Sequence, residues 1–407
     1  MQSVRFIGTN SPLNDIQTAT IQECKAYCES KTVLGVDTET EGFDFTCKKL
    51  IMFQIGDRDR QYVIDTRDVD ITPLKETLES REIVKVLHNA KFDYKFIKKW
   101  AGISMEEMYD TFLAERVINC GKQDYGYSLS RCVERYLGVT LDKETRNKFI
   151  GLKGQPFTVD QITYGANDVV HLLDIREKQL SKIHSLELHN VTRLENTVVK
   201  VFAEIEYEGL NIDEDKWTAM AEDNVKLAFK QELKLDDIVL AHPLLQDYRV
   251  PVQVDMFAPM DEVRKTHIKW SSPFQILELF QNLVPNLEDV NGKKLNKHRY
   301  KHPLIDEYIR YKERTKLANA YGTKFFNYVN CDGKVHTNFS QILDTGRVSS
   351  SRPNMQQIPS DNTFRNCFTA PEGWVFVSSD YSSQELNVIA YGSQDPVWLD
   401  ALQRGLD

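Results

Sequence analysis

Four stretches within the first 90 residues have the aliphatic and β-branched character of buried strands. Thr32-Val-Leu-Gly-Val-Asp37-Thr-Glu39-Thr runs apolar and then alternates. Leu50-Ile-Met-Phe-Gln-Ile-Gly and Gln61-Tyr-Val-Ile-Asp follow, joined by a turn at Arg58-Asp59. Ile83-Val-Lys-Val-Leu then leads through His88-Asn89 into a helix start that carries Asp93. Runs this short, bounded by polar turn residues, predict the strands of a central sheet. From Thr158 the period becomes helical, with Tyr164 and Asp168 four apart on one face and Leu172, Leu173, Ile175 and Leu180 continuing it. A second long amphipathic run spans Leu188 to Gly209, where Gly209 ends a helix and Asp213 caps the next. Ser271-Ser-Pro-Phe reads as a cap and a Pro-initiated helix. The basic stretch from Pro285 to Pro303 predicts an exposed loop, and Leu304 to Val329 a further helix. Val335 to Gln341 alternates as a strand, and Val375-Phe-Val-Ser-Ser-Asp380 predicts another that ends on an acid. Residues 243–259 carry no readable pattern.

Composition narrows the class. A chain of 407 residues with 41% hydrophobic and 27% charged positions is long enough for two or three domains with proper cores. No apolar run approaches the roughly 20 residues of a membrane span, and Met-Gln-Ser-Val-Arg-Phe lacks the form of a signal peptide. The expectation is a cytoplasmic protein with no membrane partner. The seven cysteines, at 24, 28, 47, 120, 132, 331 and 367, form no paired CxxC spacing, so reduced structural thiols are expected and zinc is not.

The net charge of −9 argues against indiscriminate coating of nucleic acid. The charges are nevertheless segregated. Residues 293–324 hold ten Lys or Arg against three acids, whereas residues 204–237 hold eleven acids against four Lys. Such a split suits one phosphate-facing and one solvent-facing surface, and a solvated helix would look the same.

Asp37 and Glu39 stand at i and i+2, which on a strand puts both carboxylates on one face about 7 Å apart, where they can share divalent cations. With Asp93, Tyr164 and Asp168 in this order, the first domain resembles the DEDD superfamily of 3′–5′ exonucleases, in the variant whose last motif is Tyr-x-x-x-Asp. The resemblance implies that Asp37, Glu39 and Asp168 hold a water-activating metal. Asp37 and Asp93 would hold a second ion against the scissile phosphate, both ions Mg²⁺ or Mn²⁺. Tyr164, with a phenol pKa near 10, would orient the attacking water without taking its proton. Lys91, Lys95, Lys98 and Lys99 crowd the Asp93 helix and could meet phosphates or solvent; His88 is a substrate contact or a core histidine.

Thr345-Gly-Arg347-Val-Ser-Ser-Ser-Arg-Pro-Asn354-Met-Gln356-Gln-Ile-Pro, followed by Val-Ser-Ser-Asp380-Tyr-Ser-Ser-Gln-Glu385-Leu, resembles the palm of family A DNA polymerases, the group of bacterial DNA polymerase I and many phage replicases. By that resemblance Arg347 would reach the minor groove beside a primer terminus, where acceptors are common to every base pair. Asn354 and Gln356 would help hold primer and template. Asp380 would bind the Mg²⁺ ions of nucleotidyl transfer, and Glu385 would exclude ribonucleotides. Ser383-Gln384 and Asn387 depart from the family pattern. Lys312, Arg314 and Lys316 would contact duplex phosphates without base selection.

The expected fold is therefore an α/β exonuclease domain at 1–185, a ribonuclease H-like mixed sheet with flanking helices. A connector and mainly helical thumb at 186–335 and a partial α+β palm at 336–407 follow. A second palm carboxylate and a fingers helix are not found in the sequence. A split gene or a truncation is expected, in which a separate C-terminal polymerase fragment completes the enzyme. Proofreading exonuclease activity on a single-stranded DNA 3′ end and binding of primer-template DNA are expected of this chain, and deoxynucleoside triphosphates only of the completed enzyme. No segment resembles the 5′-nuclease domain that some family members carry, and a phage origin would fit that economy, placing the protein in the cytoplasm of an infected host. Two alternatives stay open: a free-standing 3′–5′ exonuclease of RNA or DNA, which leaves residues 336–390 unexplained, and a non-catalytic DNA-binding scaffold.

Overall fold

The computed structural model describes residues 3–9, 16–122, 125–141, 149, 152, 154–248 and 266–405. The chain divides into two units, Met1–Phe368 and Thr369–Asp407.

A seven-stranded mixed sheet builds the N-terminal part of the first unit; the strand patterns predict its third to sixth strands, and the other three are additions. Its strands are β1 (Val4–Ile7), β2 (Gln17–Thr18), β3 (Val33–Thr40), β4 (Leu50–Gly56), β5 (Gln61–Asp65), β6 (Val84–Leu87) and β7 (Met108–Asp110). They lie in the order β2-β1-β5-β4-β3-β6-β7. The consecutive strands β3, β4 and β5 pair antiparallel, while β6 and β7 join β3 in parallel. Parallel neighbours need crossovers, and α1 (Ile21–Glu29), α2 (Ala90–Ala101), α3 (Thr111–Ile118) and α4 (Leu129–Leu137) supply helical cover. β4 and β5 are buried along their whole length, consistent with their unbroken aliphatic runs.

The long helix α5 (Val159–Ser185) opens with a capping box between Thr158 and Gln161 and lies directly on the sheet. Two glycines allow this approach. A Cβ on Gly35 of β3 would stand 2.6 Å from the Val169 carbonyl, and one on Gly165 of α5 would stand 2.6 Å from Gln54 Nε2 of β4.

After a turn at residues 186–188, α6 (His189–Glu208) leads to β8 (Leu210–Ile212) and then α7 (Glu214–Ala241), whose N-cap is Asp213. α6 is clamped to α2 by charge: Glu206 receives Lys91 and Lys95, and Glu204 receives Lys98 and Tyr94. α8 (Pro273–Gln281), α9 (Gly292–Asn296) and α10 (Pro303–Ala320) complete a helical arm. Trp217 donates to the Gly322 carbonyl and Gln231 to that of Glu307, so α7 and α10 run antiparallel. Of the 243–259 stretch, a short 3-10 turn at Pro243–Tyr248 lies within the described residues.

Three readings of this region need correction. The basic stretch before Pro303 is not a bare loop: Leu287, Val290 and Leu295 are buried in the arm's core, and Lys294 pairs with Glu288 and Asp289. The last helix stops at Ala320 rather than near Val329. A 3-10 segment, Thr323–Tyr328, follows, and its Phe325 stacks on Trp217 with ring centroids 4.2 Å apart. Finally, the thiols are not all reduced: Cys47 is disulfide-bonded to Cys331 across 284 positions, and Cys24, Cys28, Cys120, Cys132 and Cys367 are free.

β9 (Lys334–Val335) pairs with β8, and β10 (Asn338–Ser340) forms a hairpin ladder with β11 (Ser349–Ser351). In the second unit, α11 (Gln384–Ser393) and α12 (Pro396–Gln403) follow a stretch without regular secondary structure. Val375 to Asp380 was predicted as a strand, yet none of the described residues pairs with it. A strand exists only through a neighbour's backbone groups, and here Val375, Phe376 and Val377 are exposed. Among the described residues no helix is long and apolar enough to cross a membrane.

Candidate active site

Along β3 the side chains alternate, with Val36, Thr38 and Thr40 buried and Asp37 and Glu39 half-exposed on the other face. α5 reaches that face because of the close approach at Gly35, next to which Val169 sits; Asp168 is therefore delivered beside the strand. One carboxylate oxygen from each of Asp37, Glu39 and Asp168 lies within 4.8 Å of the others. At that separation two carboxylates repel by about 3–4 kcal/mol at an effective dielectric near 20. A divalent cation turns this repulsion into attraction, and an all-oxygen donor set fits a hard one.

Asp93, in the first turn of α2, is buried but is not a member of that three-carboxylate group. It accepts a hydrogen bond from Thr38 Oγ1 at 2.6 Å. Burial and then the charge of Asp37 push its pKa well above the usual carboxylate range, whereas the Thr38 bond works the other way. Asp93 is thus within electrostatic reach of Asp37. Tyr164 stands one helical turn before Asp168, half-buried, with its ring 6.2 Å from that of Phe149.

Asp110 holds the approach to α2. It is buried and accepts from the backbone N–H groups of Asn89, Ala90 and Phe112, so it caps α3 while fixing the left-handed turn at Asn89. Burial raises its pKa and these N–H donors oppose the rise. His88 Nδ1 is 2.9 Å from Thr111 Oγ1.

The remaining sequence-derived candidates lie elsewhere. Arg347 is exposed just after a tight turn in which Gly346 has φ +77° and donates to Leu343. Asn354 Oδ1 accepts from Ser350 Oγ and Gln356 Oε1 from the Ser350 N–H, so both amides help fold their own loop. Lys312 donates to the Val290 carbonyl at 3.0 Å and is half-buried, while Arg314 and Lys316 are exposed. In the second unit Asp380 is exposed in the irregular stretch before α11, and Glu385 lies in the first turn of α11. Lys91, Lys95 and Lys98 do not present a free phosphate-binding face, because each is bound to Glu206 or Glu204.

Sequence reasoning missed Thr38, Asp110 and Gln54. Gln54 lies directly across the ladder from Asp37, is fully buried, and among the described residues neither of its amide atoms has a hydrogen-bond partner. The available signal was a lone polar residue inside Leu-Ile-Met-Phe-Gln-Ile-Gly, because a buried amide is costly without a purpose.

Residues 15–184 match a family described as 3′–5′ exonuclease, and residues 260–407 match one described as DNA polymerase family A. The chain is 27% identical to DNA polymerase I of Aquifex aeolicus over 411 aligned positions, covering 93% of this chain and 63% of that protein. Against DNA polymerase I of Bacillus subtilis it is 26% identical, covering 83% of this chain and 37% of the relative. The thermostable DNA polymerase I of Thermus thermophilus is 42% identical over 112 residues, 26% of this chain and 14% of its own length. The chain thus spans less than two thirds of each. In fold it is similar to the polymerase domain of Pol1 from M. smegmatis, a structure described as a complex with DNA primer-template and dNTP, with a TM-score of 0.71 and 20% identity. That likeness covers 99% of this chain and 65% of the other.

Proposed function

Since the chain belongs to the family A DNA polymerases, joining a 3′–5′ exonuclease segment to the start of a polymerase segment, we propose that it trims the 3′ end of DNA by metal-dependent phosphodiester hydrolysis. The gathering of Asp37, Glu39 and Asp168 within 4.8 Å carries this reading. Asp37, Glu39 and Asp168 would hold one Mg²⁺ or Mn²⁺, and Asp37 with Asp93 a second. When bound, such ions supply hydroxide at neutral pH and stabilise the leaving 3′ oxygen. Asp93 would serve as a ligand in its carboxylate form. Tyr164, the tyrosine of the Tyr-x-x-x-Asp variant, directs its hydroxyl to the attacking water, and Gln54 offers an amide to the same face of the sheet. Thr38 and Asp110 position the Asp93 helix.

Primer-template DNA is the proposed partner of the rest of the chain. Arg347, Asn354 and Gln356 would face the primer terminus, with Arg314, Lys316 and, through its remaining donors, Lys312 on backbone phosphates. Asp380 and Glu385 would serve nucleotide addition from deoxynucleoside triphosphates. A polymerase fragment carrying palm and fingers elements is a further proposed partner. The exposed Val375, Phe376, Val377 and Tyr381 support that partner, since apolar side chains in such a row favour cover. The cytoplasm is the site of action this reading implies.

The test is a 5′-labelled primer annealed to a longer template with Mg²⁺ and all four deoxynucleotides. The chain is expected to shorten the primer, and Asp37→Ala to slow shortening by at least about 100-fold, since even partners one shell removed from a metal cost 10–100-fold. Absence of shortening sinks the nuclease reading. Lengthening by this chain alone counts against that partner.

A further inference from the structure

Most of what surrounds Gln54 on β4 calls for an apolar residue at that position. Met52 lies two positions earlier on the same face of the strand, and Val63 lies across from Gln54 on β5; both belong to the core that receives Ile162 and Ala166 of α5. Above it, a Cβ on Gly165 would stand 2.6 Å from Gln54 Nε2 and 3.0 Å from Gln54 Cγ, so the amide is seated directly under the helix turn that runs from Tyr164 to Asp168. The exception is Asp37, its neighbour on β3. Side chains directly opposite on antiparallel strands have Cβ atoms about 4.5–5.5 Å apart and stand on the same side of the sheet.

A methionine would fill this position at no polar cost. Gln54 is instead fully buried with both Nε2 and Oε1 lacking a hydrogen-bond partner among the described residues, an arrangement that works against folding unless something further satisfies the amide. Of its two cross-strand neighbours only Asp37 is polar, and Asp37 is one of three carboxylates with oxygens within 4.8 Å of one another. A carboxylate that ligates a cation keeps its orientation through hydrogen bonds from the protein around it.

We propose that Gln54 is a positioning residue of the nuclease centre, its Nε2–H donating to the Asp37 carboxylate when a divalent cation is bound and so fixing that carboxylate between β3 and the Tyr164–Asp168 turn. The inference rests on the nuclease reading above and gives a role to a residue that touches neither substrate nor ion. Gly165 belongs to the same device, since its bare Cα leaves room for the amide. Stability and ion affinity are thereby set against each other at this position: an apolar side chain suits the core and fails the carboxylate.

Calorimetric titration with Mn²⁺ and thermal melts in EDTA test this on the wild type, Gln54→Met and Gln54→Glu. Gln54→Met keeps the length of the side chain and removes both polar atoms. It is expected to melt in EDTA at or above the wild-type temperature, while its Mn²⁺ dissociation constant rises about tenfold. Gln54→Glu keeps the shape but exchanges the donor for an acceptor, and is expected to lose at least as much affinity. Hydrolysis of single-stranded DNA by Gln54→Met should fall about tenfold at limiting Mn²⁺ and recover as Mn²⁺ saturates. A Gln54→Met protein that melts below wild type in EDTA makes the amide a structural fixture and overturns the proposal. Unchanged Mn²⁺ affinity in Gln54→Met overturns it too, as does equal or tighter affinity in Gln54→Glu, which would put this position in direct contact with the ion.

Asp37→Ala separates this outcome from failure of the nuclease reading. A wild type that takes up no Mn²⁺, or an Asp37→Ala protein that takes up as much, sinks that reading and the inference with it. Uptake that depends on Asp37 but is the same in Gln54→Met sinks the positioning role alone.

Discussion

Lys85 lies within β6 with its side chain fully buried, its ammonium satisfied by the carbonyls of Ser80 and Ile83. Burial pushes its pKa down to about 8 from 10.5. The unfolded chain therefore holds this proton more tightly, so the charged lysine opposes folding fully below pH 8 and ceases to do so as pH rises through 10.5. The stability difference between wild type and Lys85→Met is expected to move in favour of wild type by about 2 kcal/mol from pH 8 to pH 10. Urea unfolding at both pH values measures it; a constant difference refutes it. At this scale much of the site's geometry was legible, because the spacing of Asp37 to Glu39 and of Tyr164 to Asp168 fixes a shared face once the element type is known. What joins the two elements was not. That depends on Gly35 and Gly165, whose missing side chains matter only when a particular backbone lies above them.

Glu206 is the point where three elements meet. It is fully buried, takes Lys91 and Lys95 of α2 on its two oxygens, and accepts the Phe339 N–H of β10 at 2.7 Å, while Lys91 also donates to the Phe339 carbonyl. Glu206→Gln leaves two lysines with little exposure short of a counter-charge, and the expected cost is about 3–5 kcal/mol. Chemical denaturation gives the number, and a loss under about 1 kcal/mol would show that the cluster does not clamp these elements. The lysines looked like a phosphate surface from their helix alone, since their partner acids lie more than 100 positions away. Element type was legible wherever a period persisted for a dozen residues. It failed where a neighbour decided the outcome, as for Val375 to Asp380 and for the stretch before Pro303, whose leucines and valine turn inward.

For the whole of the first unit, the Cys47–Cys331 bond ties the loop after β3 to the turn before β9. Closing so long a loop restricts the unfolded chain, and reduction is expected to cost about 2–4 kcal/mol. A thermal melt with and without dithiothreitol should show it, with Cys47→Ser melting at the reduced value in both. Identical melts would mean the bond does not constrain the chain. No spacing rule could have paired two cysteines so far apart, because chain folding alone brings them together. The Glu206 junction has a consequence of another kind. It bolts the helix of Asp93 to the hairpin that carries Arg347, so the gauge between the residues proposed for trimming and those proposed for holding a primer is set by the protein and does not vary with its cargo. If one DNA terminus visits both, the terminus has to do the travelling, and the ease with which its last base pairs melt becomes the throttle on trimming.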